Sequence, residues 1–335
     1  EGITGGSKLI RCLMAALEKK GVAIHYNTKA VSLVKDECFN VEGVSCITPE
    51  GRKDYLARGG VILTTGGYGA NEAMVDKYIG PWASRLIVRG SPWITGENIL
   101  MAEEVQALLV NMDQFYAGPI TPTGHCNPSP LMHAGYGIQV NTKGKRFVPE
   151  TWLQVPKAKA IAERTEDNRS FMLIGADADK NAQILTNTIK RFARLGFEVI
   201  KADTIEEAAK KAGVPEKNLV ETVREFNAAV KAGKAKELDP PYDYDEPHAL
   251  ETGPFYMIPA AGGMASTFGG PKINKDAQVV NFERRPIPGL YAAGAAAGGV
   301  WVYDDIGGNQ LGGGMVFGRV AARHAAGRAA SRKNA

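Results

Sequence analysis

The residues whose types and spacing could do chemistry here are mostly glycines. Val61-Ile62-Leu63-Thr64-Thr65 is a compact apolar run, and Gly66-Gly67-Tyr68-Gly69 follows it at once. A second run, Gly289-Leu290-Tyr291-Ala292-Ala293, ends in Gly294 and continues into Gly298-Gly299. A buried strand that ends in glycine lets a ligand approach the backbone closely, because no Cβ intervenes. Gly67-x-Gly69 opens like a dinucleotide fingerprint, but the third glycine position of GxGxxG holds Glu72, so the fingerprint fails. Gly5-Gly6 precedes one helical pattern, and Gly307-Gly308-Asn309-Gln310-Leu311-Gly312 leads into another. Metal chemistry has little support. Cys12, Cys38, Cys46 and Cys126 lie in no CxxC spacing, and none of the five histidines is at HxxxH spacing.

These glycines need elements to position them. Ser7 can cap a helix whose stripe is Leu9, Ile10, Leu13, Met14 and Leu17, with Gly21 at its end. Val22–Tyr26 alternates and reads as a strand, followed by strands at Ala30–Val34, Val41–Cys46 and Tyr55–Ala57. Val61–Thr65 fits a buried strand. From Tyr116 to Leu250 the chain is loop-rich and then helical. Thr204 and Glu207 stand at capping-box spacing, and Leu219, Val223, Phe226 and Val230 share one face of a helix from Asn218. Strand signals return at Tyr256–Ile258, Lys272–Asn274, Gln278–Val280 and Leu290–Ala292, before a last helix near Gly312–Gly314. The pattern is an α/β domain in two pieces, 1–115 and 251–335, interrupted by a mostly helical insert over 116–250. Apolar residues at 44%, charged residues at 23% and a net charge of +4 over 335 residues exclude general disorder and a nucleic-acid footprint. No apolar run is long enough to span a membrane.

Taken in order, the blocks resemble a known family. "GGSKLIRCLMAALEKKGVAIHYNTKAVSLV", "VILTTGGYGANEAMV", "TGENILMAE", "GIQVNTKGKRFVPE", "DTIEEAAKKAGVP", "STFGGPKIN", "IPGLYAAG" and "GGNQLGGGMVFGR" are similar to blocks of the FAD-dependent flavoproteins of the fumarate reductase and succinate dehydrogenase type. Relatives of these include 3-ketosteroid dehydrogenases. The resemblance implies a Rossmann-like FAD-binding domain carrying an inserted capping domain, with substrate held between cap and flavin. It gives FAD-binding roles to Gly6, Val31, Thr65, Gly66, Gly67, Gly294, Gln310 and Leu311. Ala30-Val31 would meet the adenine edge, and Thr65-Gly66-Gly67 the adenosine and pyrophosphate. Gly294 would lie by the ribityl chain. Gln310-Leu311 would offer backbone N–H groups to the flavin pyrimidine edge, where a helix N-terminus favours negative charge.

The departures from that pattern carry their own expectations. There is no strand–GxGxxG–helix unit: the resemblance begins at Gly5-Gly6, so the chain reads as a fragment, incomplete at the N-terminus of its FAD domain. Alone, it is expected to purify without stoichiometric FAD and to pair through exposed strand edges. Ala295 stands where the family usually has a ribityl-binding Glu. Trp301 and Asp305 replace a His and a substrate-clamping Arg, Ala265-Ser266-Thr267 replaces His-His-Thr, and the cap arginine falls at Gln154. The relay Glu and Arg fall near Pro130 and His133. An Asp repels a dicarboxylate. The expected substrate is therefore a small molecule other than fumarate, neutral or cationic, walled by Tyr116, Tyr136, Tyr256, Trp301, Tyr303, Asp304 and Asp305. Tyr303, Asp305, Tyr116 and Tyr256 are the candidates for proton handling beside a hydride transfer to or from flavin. Arg146-Phe147 with Glu150 reads as a cap-folding element. The alternative is a non-catalytic remnant that binds a ligand or partner.

Overall fold

Strands form here where a short apolar run finds a neighbour, and the neighbours decide which sequence signals are realised. A computed structural model describes residues 5–122, 137–176, 182–197, 199–302 and 308–333. The chain opens with α1 (Gly5–Lys19), then β1 (Lys29–Lys35), β2 (Val41–Thr48), β3 (Gly51–Leu56) and β4 (Val61–Leu63). Next come α2 (Glu72–Tyr78), β5 (Ile87–Val88), α3 (Glu97–Glu103), β6 (Leu109–Val110) and β7 (Phe115–Ile120). The middle holds β8 (Gly137–Asn141), α4 (Gln154–Arg164), β9 (Ser170–Gly175), α5 (Ala182–Arg194), β10 (Ile200–Ala202), α6 (Ile205–Ala212) and α7 (Glu216–Lys231). β11 (Phe255–Thr267), β12 (Gly270–Pro271), β13 (Gln278–Val280), β14 (Pro286–Ala292) and α8 (Asn309–Ser331) complete it.

β1, β2 and β3 form an antiparallel meander. Beside it, β14 lies between β13 and β4, and β14 and β4 run parallel with Leu290 opposite Val61 and Ala292 opposite Leu63. Leu33, Val41, Leu63, Met101, Val279 and Leu290 bury a common core under these sheets. Val22–Tyr26 is a correction: it alternates like a strand but joins no sheet among the described residues and stays irregular, with Val22, Ile24 and Tyr26 exposed. α1 likewise buries no residue.

The insert holds helices, as its sequence suggests, and also strands. β8, β9, β10 and the first half of β11 make an antiparallel sheet in the order β10-β11-β9-β8. β8 and β9 are buried along nearly their whole length, so they lack the alternation that marks a half-exposed strand. α6 and α7 cover this sheet through Ala208, Ala209, Leu219, Val223 and Phe226. Thr204 caps α6 by accepting from the Glu207 N–H at 3.1 Å, as its spacing predicts. β11 belongs to both parts: Phe255–Ala260 pair with β9, while Ala261–Thr267 pair with β7.

Candidate cofactor and substrate site

The two glycine runs that stand 225 residues or so apart in sequence meet in space. Because β4 and β14 are adjacent and parallel, their carboxyl ends open side by side, and Ala293 N–H donates to the Leu63 carbonyl at 3.1 Å. Thr65, Gly66 and Gly67 leave one strand and Gly294 leaves the other at that end. A crevice outside the carboxyl ends of parallel strands is where open α/β sheets bind ligands.

Three glycines there have physical reasons. Gly66 has φ +81°, and a Cβ on it would stand 2.8 Å from Ile94. At Gly67 a Cβ would stand 2.1 Å from the Thr267 hydroxyl, which accepts the Tyr68 N–H at 3.1 Å. Gly294, at φ +67°, faces Gly314 of α8 with 3.7 Å between its Cβ position and the Gly314 Cα. The first turns of α8 therefore cross directly over the end of β14. Gly308 holds the N-cap of α8 at φ 91°, with no side-chain cap to the first N–H groups of that helix among the described residues. Gln310 anchors this end by donating from Nε2 to Ser266 Oγ at 2.7 Å.

Substrate-side groups collect on the ladder between β7 and β11. Tyr116 lies directly opposite Ser266, next to a bulge in β11, and such pairs share a face of the sheet. The Tyr116 hydroxyl donates to Gln154 Oε1 at 3.1 Å. α4, which begins at Gln154, is held in the cap by a buried clip. Arg146 donates to both Glu150 oxygens, at 2.9 and 2.6 Å, and lies 5.8 Å from the Phe226 ring centre and 5.6 Å from that of Tyr242. Trp301 is buried against Phe268 and against the Gly313 face of α8.

Thus Thr65, Gly66, Gly67, Gly294, Gln310 and Leu311 are gathered, with Tyr116 nearby through Ser266. Val31 is the extra residue of a bulge in β1, between the pairs Ala30–Cys46 and Ser32–Ser45. Lys29 at the start of that strand reaches Glu97 of α3 at 3.1 Å, and Asn98 donates to Ala296 just past Gly294. Gly6 opens α1, where a Cβ would meet nothing within 4 Å among the described residues. Tyr256 is also elsewhere. It packs beside the Met172, Ile174 and Phe192 cluster of the cap, ten residues and therefore about 33 Å of extended strand from Ser266. Tyr303, Asp304, Asp305, Tyr136, Pro130 and His133 lie outside the described residues. Sequence reasoning gave Ser266 and Gln154 only as replacements in a pattern. Their bonds to Gln310 and Tyr116 depend on strand register.

Residues 1–311 match the FAD binding domain family. The chain belongs to that family, and FAD is its cofactor. This FAD-binding chain is 32% identical to the urocanate reductase of Eggerthella lenta, over 97% of its own length and 54% of that protein. Its fold superimposes on the open conformation of a flavocytochrome c3 fumarate reductase with a TM-score of 0.81 at 29% identity, covering 98% of this chain and 57% of the other. For the 3-ketosteroid delta1-dehydrogenase of Sterolibacterium denitrificans the TM-score is 0.72 at 26% identity, covering 94% and 62%. The chain spans about half the length of the curated relatives it matches. The architecture is an FAD-binding domain with a capping domain. FAD fits what is seen here: glycine turns at the carboxyl ends of two adjacent parallel strands, and a helix start beside them with no side-chain cap among the described residues.

Proposed function

We propose that this chain is the flavin- and substrate-holding part of an oxidoreductase that moves a hydride between FAD and a carbon–carbon bond of an uncharged organic substrate. The observation that carries the reading is that the carboxyl ends of the parallel strands β4 and β14 meet the start of α8, which Gln310 ties to the Tyr116–Ser266 pair. Thr65, Gly66, Gly67 and Gly294 hold the cofactor by backbone approach, and the N–H groups at Gln310 and Leu311 face its pyrimidine edge. FAD supplies the hydride chemistry when bound. Tyr116 handles a proton at the substrate, and residues 116–250 serve as the cap, with β11 shared between the parts.

The uncharged character of Gln154, Ser266 and Trp301 speaks against a dicarboxylate, so fumarate is not the expected substrate. The test is reconstitution with excess FAD, followed by absorbance at about 450 nm, dye reduction, and reoxidation by a panel of unsaturated compounds. The panel is fumarate, urocanate and 4-androstene-3,17-dione. Reoxidation by the neutral steroid or another neutral acceptor, and not by fumarate, supports the reading. Reoxidation by fumarate overturns the substrate class. Ala295, where an acidic ribityl partner is expected, favours the second reading, a ligand-binding remnant. A protein that stays colourless under excess FAD even when this chain is joined to a strand–GxGxxG–helix unit decides for it.

A further inference from the structure

We infer that Gln154 determines which substrates this site accepts, and that the group it reads is an uncharged carbonyl or amide rather than a carboxylate. This rests on the reading of the site just given. Four side chains form a row across the β7/β11 ladder: Gln310 donates to Ser266 at 2.7 Å, Ser266 stands opposite Tyr116, and Tyr116 donates to Gln154 at 3.1 Å. None of these side-chain types carries a formal charge at neutral pH.

Gln154 has a seat made for it. Gly118 is two residues from Tyr116 along β7 and so on the same face, and a Cβ there would stand 2.9 Å from Gln154 Oε1 and 3.6 Å from its Cβ. The side chain thus lies flat over a glycine with its oxygen taken by Tyr116. Its amide NH2 makes no hydrogen bond among the described residues, while the residue itself is half-buried. Two donors on a partly desolvated, uncharged amide suit a carbonyl oxygen. A carboxylate at the same place would give up water with no opposite charge in the row to replace it.

The test compares fumaramide with fumarate, which share a carbon skeleton and differ in charge, by calorimetric titration of the protein in excess FAD. Wild type is expected to bind fumaramide at least about ten-fold more tightly. Gln154→Arg is expected to move that ratio toward fumarate by at least about ten-fold. Gly118→Ala is expected to fold, since it meets only the far end of a flexible side chain. It should weaken fumaramide several-fold by lifting Gln154 off Tyr116. Equal binding of the two compounds to wild type, no binding of either, or a ratio unmoved in both variants overturns the inference. Flavin absorbance recorded in the same samples reads the oxidoreductase separately. A colourless protein that still prefers fumaramide keeps Gln154 and loses the redox role; a yellow protein with no preference does the reverse.

Discussion

Lys157 shows how one buried side chain can set the pH dependence of a whole fold. It lies one turn into α4, is almost fully buried, and shares its neighbourhood with Glu150, which already accepts from Arg146 and from the Gln139 N–H. Burial lowers its pKa to about 8, with Glu150 pulling the other way. An unfolded lysine keeps its proton to about pH 10.4. Between about pH 8 and that value the unfolded chain therefore holds a proton that the native chain has released, so stability rises with pH across the window. Full titration would be worth about 3 kcal/mol. Above pH 10 the buried tyrosines act oppositely. Tyr244 is pushed up to about 12 by burial, so the unfolded chain loses a proton there that the native chain keeps. Urea midpoints are expected to climb from pH 7.5 to about 9.5 and then fall. Lys157→Met should raise the midpoint at neutral pH and flatten the climb; a climb unchanged in that variant refutes the account. Lys157 was invisible to sequence reading, because a lysine in "PKAKAI" looks like an exposed position of an amphipathic helix. Gly66, Gly67 and Gly294 were legible as the ends of two apolar runs, and the structure sets those ends side by side. Gln154 was legible as a substitution in a pattern, but its bond to Tyr116 was not.

At the scale of elements, α8 carries a useful contrast. Three consecutive glycines open it, although each costs a helix about 1 kcal/mol relative to alanine. Two of them have contacts that explain this. A Cβ on Gly313 would stand 2.6 Å from the Trp301 ring, and Gly314 faces Gly294. Gly312 has nothing within 4 Å. Gly312→Ala is therefore expected to raise stability by up to about 1 kcal/mol, and Gly313→Ala to lower it by about 1–3 kcal/mol. Thermal unfolding of the two variants checks this, and a gain in both would show that Trp301 can yield. Gly67→Ala belongs to the same class. Its Cβ would drive Thr267 away and strand the buried Tyr68 N–H, at an expected cost of about 2 kcal/mol together with the loss of the FAD-side turn. The elements themselves were read unevenly. α6 and α7 announced themselves through a capping box and a single apolar face. β8 and β9 did not, because a strand buried on both sides shows no period of two. Val22–Tyr26 had the period but no partner strand among the described residues.

At the scale of the whole molecule, the first and last helices both leave apolar side chains open. On α1, Ile10 is 58% exposed, Leu13 51% and Leu17 37%, while on α8 Leu311, Met315 and Val316 are each more than half exposed. β4 pairs with β14 on one side only, among the described residues. Apolar stripes and an unpaired strand edge promote association of chains in water. The crevice, meanwhile, offers FAD its glycine turns and the start of α8, but the 335 residues contain no strand–GxGxxG–helix unit to neutralise a pyrophosphate. Charge-assisted hydrogen bonds are worth roughly 1.5–3 kcal/mol each, so lacking two or three of them weakens binding by several orders of magnitude. The 335-residue chain on its own is therefore expected to elute larger than a monomer and to carry well under one FAD per chain. Replacing Ile10, Leu13 and Leu17 with Gln should shift elution toward the monomer without changing FAD content, because those residues lie away from the glycine turns. Light scattering and flavin absorbance on the same fractions check both halves. A monomeric wild type, or titration showing FAD bound more tightly than about 1 μM, would mean that the surfaces described here are already sufficient partners for each other and for the cofactor.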